Sequence, residues 1–238
     1  MGAPRPHCCA DLSAVVSIPA ERTASTLLAG QSKRGRLIKR TGDIGFSLLV
    51  LALGSPLLLL LAVLVKLSSK GSVFYCQRRI GRGYRGFGCL KFRTMRKDAD
   101  RVLAQVLASD PELRAEFERD FKLKNDPRIT PIGKFLRRSS LDELPQFINV
   151  LKGEMSVVGP RPIVWDELER YGRTMDQVLS VRPGLTGLWQ VSGRNNLPYE
   201  TRVKLDLFYA RNRSFWLDLG IILRTIGVVL LPMDRGAY

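Results

Sequence analysis

The chain has 238 residues, 45% of them hydrophobic, so it can bury a core and is too apolar for global disorder. Its net charge of +16 points to an anionic partner: nucleic acid, an acidic membrane surface or phosphate-bearing substrates. His7 is the single histidine, and Cys8, Cys9, Cys76 and Cys89 show no CxxC spacing, which leaves histidine triads, histidine-rich metal sites and a disulfide framework little material.

Residues 1–32 mix Pro, Ser, Ala and Thr with apolar patches too short for a signal-peptide core, and they read as a mobile tail of a chain that is not secreted. Residues 33–40, KRGRLIKR, then hold five positive charges in eight positions. Phe46–Val65 follows with twenty residues and no charge; its Phe, Leu and Val residues give roughly −4 to −8 kcal/mol toward membrane insertion. A straight transmembrane helix is the simplest reading of such a run. Gly54-Ser55-Pro56 lies at its midpoint, however, where proline removes a helical hydrogen bond and kinks the chain. Positive charge also flanks both ends, with Lys66, Lys70, Arg78 and Arg79 after the run, and positive flanks prefer the cytoplasm. A hairpin dipping into one leaflet satisfies both flanks and is the favoured expectation.

Gly71–Met95 reads as a β-hairpin of SVFYCQ and FGCLKFRTM around GRGYRG. Gly81, Gly83 and Gly86 spell GxGxxG, but a strand-like segment follows where a dinucleotide fold needs a helix. Asp98–Ala108 reads as a helix, and Asp110-Pro111 opens a second one through about Phe121. Asp98-Ala99-Asp100 resembles the metal-binding DxD of many glycosyltransferases; two acids at a helix start are the preferred explanation.

Residues 128–162 carry the densest signal. Ser140-Leu141-Asp142-Glu143 matches a capping box, with Ser140 as N-cap and Glu143 reaching back, and Pro145 is expected to leave the Leu141 carbonyl free. Taken alone, that pattern needs only a structural explanation. Its surroundings are basic: Arg137 and Arg138 precede it, and Gly159-Pro160-Arg161-Pro162 presents another guanidinium on a stiff turn. Arginines around a helix start suit phosphate, and a carboxylate among them can attack phosphorus when a metal screens the repulsion. Further on, Pro198–Asn212 reads as an amphipathic helix with Val203, Leu207 and Ala210 in its stripe. Phe215–Leu231 is apolar but interrupted by Asp218 and Arg224, so it fits an interfacial or a core-packed helix better than a second span.

Residues 38–238 resemble the bacterial sugar transferase family, the monotopic polyprenyl-phosphate phosphoglycosyl transferases. The resemblance runs through five ordered motifs: the basic flank with Ser55-Pro56, KFRTM at Lys91–Met95, SLDELPQ at Ser140–Gln146, GPRP at Gly159–Pro162 and RPGLTGLWQVSGRN at Arg182–Asn195. The closing RGAY is similar to the exopolysaccharide-initiating branch. The family implies an α-rich α+β monotopic membrane protein with a re-entrant helix-break-helix at Ser55 and Pro56, a small β-hairpin and amphipathic surface helices. It divides the chain into a tail at 1–32, a basic flank and membrane helix at 33–70, and a cytoplasmic catalytic domain at 71–238.

The implied reaction moves a hexose-1-phosphate from a UDP-sugar to undecaprenyl phosphate at the cytoplasmic face of the bacterial inner membrane. Asp142 and Glu143 form the implied catalytic dyad, with Asp142 attacking the sugar-bearing phosphorus, releasing UMP and carrying a covalent phosphosugar. Mg²⁺ is the implied cofactor and Asp142 its protein ligand. Arg137 and Arg161 match phosphate-handling positions, and Lys91, Arg93 and Arg194 are further candidates by motif and charge. The lipid bilayer and both substrates are the expected partners; a homo-oligomer is compatible, and nucleic acid is not expected. Longer relatives carry a multi-helix membrane domain where this chain has a short tail, which makes it similar to compact members that begin succinoglycan-type polymers and favours galactose over glucose. Two rivals stay in view. A DxD glycosyltransferase would depend on Asp98 and Asp100 without a covalent intermediate. A nucleic-acid binder would use the charge and GRGYRGFG as an RGG-like segment, against which the apolar run speaks.

Overall fold

The computed structural model describes residues 33–120, 123, 126–193 and 196–230; the expected tail and Arg194 lie outside them. The architecture is mostly helical with two small sheets. Helix α1, Lys33–Ser68, contains the apolar run and runs through Pro56 without interruption, so the expected break at Ser55 and Pro56 is not a gap in the helix. Proline still removes one hydrogen bond there. Among the described residues α1 is the one helix long and apolar enough to cross a membrane, and Leu48, Leu49, Leu53, Leu59 and Leu60 on it are exposed.

Strands β1, Phe74–Ile80, and β2, Gly86–Phe92, form the expected antiparallel hairpin. Its turn is a short 3-10 segment in which Gly83 takes a φ of 65°, a left-handed value that glycine adopts without strain. Helix α2 spans Ala99–Ser109 and α3 spans Pro111–Asp120, with Asp110 between them accepting from the Glu112 and Leu113 amides at 2.9 and 3.1 Å. Helix α4, Pro131–Ser139, begins at Thr130, whose hydroxyl accepts from the Gly133 amide at 3.0 Å. Helix α5 covers Gln146–Lys152. Strands β3, Ser156–Val158, and β4, Gly184–Thr186, pair in parallel, and helices α6, Tyr199–Asn212, and α7, Phe215–Leu230, complete the order.

The chain divides into two compact units. The first comprises the described residues of Met1–Leu53, Cys76–Leu90 and Pro145–Gly236. Its core gathers Ile80, Ile163, Tyr171, Met175, Val178 and Leu179, against which Val203 and Leu207 of α6 pack, as the sequence stripe requires. Gly159 and Gly184 approach so closely that a β-carbon on either would overlap the neighbouring backbone, which accounts for glycine in both GPRP and RPG. The basic flank is built into this unit. Asp43 is buried and accepts from Ser156 Oγ at 2.8 Å and the Val157 amide at 3.1 Å. Arg40 donates to the Val150 and Leu151 carbonyls at the end of α5, at 2.6 and 2.9 Å, and Lys39 pairs with Asp218 at 2.7 Å. Helix α7 is thus core-packed along one face, where Ile221 is buried and Thr225 bonds Thr186 at 2.8 Å. Its other face leaves Phe215, Trp216, Leu223 and Ile226 exposed.

The second unit comprises the described residues of Gly54–Tyr75 and Lys91–Leu144. Leu61 and Val65 of α1 form its core with Phe92 and Leu136, and Leu141 and Leu144 pack on it. Arg93, nearly buried, donates to the carbonyls of Val65 and Ser69 at 3.4 and 2.6 Å and so covers the C-terminal end of α1.

Candidate functional site

Helix α4 ends where Ser140 takes a left-handed φ of 57°, and a three-residue 3-10 turn, Leu141–Glu143, follows. The expected capping box does not form. Ser140 closes the preceding helix and leads straight into the 3-10 turn, its side chain caps nothing, and the Leu141 carbonyl accepts from the Leu144 amide at 3.3 Å instead of standing free. This left-handed stop turns Asp142 inward, where it is 8% exposed. Leu141 and Leu144 on either side anchor the turn in the apolar core of the second unit.

Burial pushes the Asp142 carboxyl up to about 6, with the neighbouring Glu143 charge adding to the rise; Lys91 and Arg137 act in the opposite direction. Strand alternation places Lys91 there: Phe92 enters the core, so Lys91 faces the other way, and its Nζ lies 2.7 Å from Glu143 Oε1. Arg137 is half-buried and donates from Nε to Thr94 Oγ1 at 2.9 Å. Desolvation lowers its pKa, offset by the charges of Asp142 and Asp126, and the group remains a guanidinium. Asp126 is buried and binds Arg128 in a fork, with Nη2 to Oδ2 at 2.6 Å and Nε to Oδ1 at 2.8 Å, which holds its carboxyl below the usual range. Gly133 lies against the Thr94 carbonyl with no room for a β-carbon, and this packs the start of α4 against KFRTM.

Asp142, Glu143, Lys91 and Arg137 are therefore one constellation within one unit: a buried carboxyl with a raised pKa, a second carboxylate in an ion pair, and a positioned guanidinium. Thr94, Asp126 and Arg128 support it and were not singled out from the sequence; the Asp126-Pro127 dipeptide, a turn signal, was the available hint. Asp98 and Asp100 take no part in this cluster, and Asp98 is engaged by Arg101 at 3.1 Å.

Two carboxylates next to each other in sequence, one with a raised pKa, are oxygen ligands of the kind a hard divalent cation takes, and such an ion would relieve their repulsion. Among the described residues no group of three or more His, Cys, Asp or Glu could hold a metal by itself.

Arg161 belongs to the first unit. Its guanidinium lies 5.7 Å from the centre of the Trp189 ring, and that of Arg202 lies 5.2 Å from the same ring. Beneath them Asp206 is fully buried and accepts from Tyr171 Oη at 3.0 Å; burial pushes its carboxyl up to about 7.

A model of the family described as bacterial sugar transferase matches residues 34–232. The chain is 52% identical over 206 residues to the undecaprenyl-phosphate galactose phosphotransferase of Salmonella typhimurium, covering 87% of this chain and 43% of that protein. It is 50% identical over 204 residues to the exopolysaccharide production protein ExoY of Rhizobium meliloti, covering 86% and 89%. It is 40% identical over 200 residues to the UDP-glucose:undecaprenyl-phosphate glucose-1-phosphate transferase of Escherichia coli, covering 80% and 40%. The chain spans less than half the length of the Salmonella typhimurium and Escherichia coli proteins, 43% and 40%.

Proposed function

The chain belongs to the bacterial sugar transferase family, and from that premise we propose that it transfers a hexose-1-phosphate from a UDP-sugar to undecaprenyl phosphate, the step that begins an exopolysaccharide. The observation that carries this reading is the buried Asp142, held beside a Lys91–Glu143 pair and an arginine. A carboxylate in that setting serves as a nucleophile toward phosphorus once ionised.

The Asp142 oxygen forms a bond to the sugar-bearing phosphorus while the bond to the UMP oxygen breaks, and UMP leaves with the electron pair. An oxygen of undecaprenyl phosphate then attacks the same phosphorus and returns the Asp142 carboxylate. Arg137 orients phosphate oxygens through its planar fork, and Lys91 holds Glu143 in place. Arg161 of GPRP is a further phosphate-handling group. Arg93 serves the site indirectly by fixing the end of α1 next to KFRTM. Asp142 would hold the Mg²⁺, which would supply charge neutralisation on phosphate oxygens. Galactose is the favoured sugar, on the names of the relatives at about half identity.

The same reading seats the chain on the cytoplasmic face of the bacterial inner membrane, with α1 entering and leaving one leaflet and residues 71–238 as the catalytic part. Exposed leucines along α1 and the exposed face of α7 support a lipid contact. The deciding experiment incubates the protein with a panel of UDP-sugars, first without and then with undecaprenyl phosphate. One equivalent of UMP and a protein mass increase of one phosphosugar are expected without acceptor, and turnover with it. UMP release that strictly requires acceptor, with no mass increase at any sugar, would overturn the covalent route.

A further inference from the structure

Immediately after α1 the second unit holds a cavity of about 240 Å³ lined by Ser68, Ser69, Lys70, Arg96, Lys97 and Asp98. Three cations face a single carboxylate there, and that carboxylate is already bridged to Arg101. Ser69 Oγ is buried without a hydrogen-bond partner, an arrangement that costs free energy unless something fills it. Helix α2, eleven residues long, starts at this wall with Asp98 making no side-chain cap, so its first amides add positive potential. The wall is rigid: the Arg96 amide donates to the Arg128 carbonyl at 2.9 Å, and its own carbonyl accepts from Ala99 at 3.2 Å. Arg93 fixes the opposite side by donating to the Ser69 carbonyl.

Its place in the chain gives the cavity its context. The apolar run ends at Val65, so Ser68–Lys70 emerge at the depth where phosphate headgroups lie. We propose that this cavity is a phosphate site for a membrane lipid, in which Lys70, Arg96 and Lys97 neutralise the phosphate and the Ser69 hydroxyl donates to one of its oxygens. The shared chemistry is a phosphate ester on an apolar tail, and it has two sources: the polyprenyl phosphate acceptor or an anionic phospholipid. The first source rests on the transferase reading above, whereas the second does not.

The test measures binding to the full chain in detergent by calorimetry, with short-chain polyprenyl phosphate and short-chain phosphatidylglycerol as separate probes. The variant Lys70→Gln/Arg96→Gln/Lys97→Gln is compared with Arg85→Gln/Arg173→Gln/Lys204→Gln, which removes equal charge from exposed positions elsewhere. Affinity is expected to fall roughly tenfold or more in the first and less than twofold in the second. Ser69→Ala removes only the unpartnered hydroxyl, so it should hold or raise thermal stability without ligand and weaken binding severalfold. Tighter binding of polyprenyl phosphate assigns the site to the acceptor, and tighter binding of phosphatidylglycerol assigns it to bulk lipid. Equal losses in the two triple variants, or no binding of either probe to the unaltered chain, would overturn the proposal. Because no turnover is measured, these outcomes stay legible even if the chain fails to release UMP.

Discussion

Lys91 Nζ donates to Glu143 Oε1 at 2.7 Å, so the carboxylate next in sequence to Asp142 is held by a cation from the end of β2. The pair acts on Asp142 from both directions: Glu143 raises its pKa and Lys91 lowers it. Attack requires the carboxylate, so kcat/KM for UMP release should fall as pH drops through about 6. Lys91→Met should move that acid limb to higher pH, and Glu143→Gln should move it to lower pH while reducing the rate at its plateau. Limbs that move together, or not at all, would separate Asp142 from the titrating group.

Asp142→Asn should abolish turnover and the covalent adduct while the fold persists. The sign of its stability effect follows from the raised pKa. Protonated Asp142 suits its burial, so its contribution to stability is present below the unfolded value and is lost as pH rises through about 6. At pH 8 the neutral asparagine avoids that loss, and the variant should be as stable as the parent or more so, by up to about 3 kcal/mol for a two-unit shift. The two proteins should melt together only below about pH 3.8, the ordinary carboxyl value, and diverge as pH rises from there to about 6. A variant much less stable at pH 8 than at pH 4.5, relative to the parent, would contradict the inward placement of Asp142.

Arg137 and Arg138 are neighbours in sequence with different surroundings. Arg137 is half-buried on Thr94 beside Asp142, whereas Arg138 is exposed. Arg137→Lys keeps the charge and loses the planar fork, so kcat/KM should fall at least about tenfold. Arg138→Lys should change it less than about twofold. Equal, small effects at both positions would remove Arg137 from the site.

Local signals made much of this fold legible. The hairpin around GRGYRG, the Asp110 cap, and helices α6 and α7 follow from turn residues, caps and apolar spacing within a few residues. The Asp142–Glu143 pair was legible as a motif, but its geometry was not. A Ser-x-x-Glu pattern cannot tell a helix start from a helix stop, and here α4 arrives first and draws Ser140 into the left-handed region. Some charges also have structural partners far along the chain: Arg40 caps α5 from 110 positions away, and Arg93 covers the end of α1. Such partners are tertiary, and no spacing in the chain announces them.

Asp43 gives that tertiary character a measurable consequence. It is buried, accepts from Ser156 and the Val157 amide, and lies 3.7 Å from Lys39. Asp43→Ala strands these donors and should cost about 2–4 kcal/mol, seen as a lower denaturation midpoint in detergent. Asp43→Asn keeps an acceptor and should cost less. A loss below about 0.5 kcal/mol for Asp43→Ala would mean that the basic flank is held by lipid and not by the first unit.

The path of α1 through the bilayer is the remaining question with a decisive test. Its length admits a full span: 36 residues at about 1.5 Å each exceed a hydrocarbon core of about 30 Å. Charge argues otherwise. Lys39, Arg40 and Asp43 at one end are bonded into the first unit, and at the other end Arg93 covers the carbonyls of Val65 and Ser69. A straight span would carry the N-terminal end, with everything bonded to it, to the opposite side from the residues that follow Ser68. Pro56 supplies the weak point at which the helix can bend within one leaflet. In a background with Cys8, Cys9, Cys76 and Cys89 replaced by alanine, single cysteines at Arg34 and Ser72, both exposed, report the two sides. Neither Arg34→Cys nor Ser72→Cys should react with an impermeant thiol reagent in intact cells, and both should react once the membrane is opened. Replacing Ser55 and Pro56 together by leucine should straighten the helix, strain the Asp43 and Arg40 bonds and lower activity. Labelling of Arg34→Cys alone from outside would establish a span and remove the hairpin.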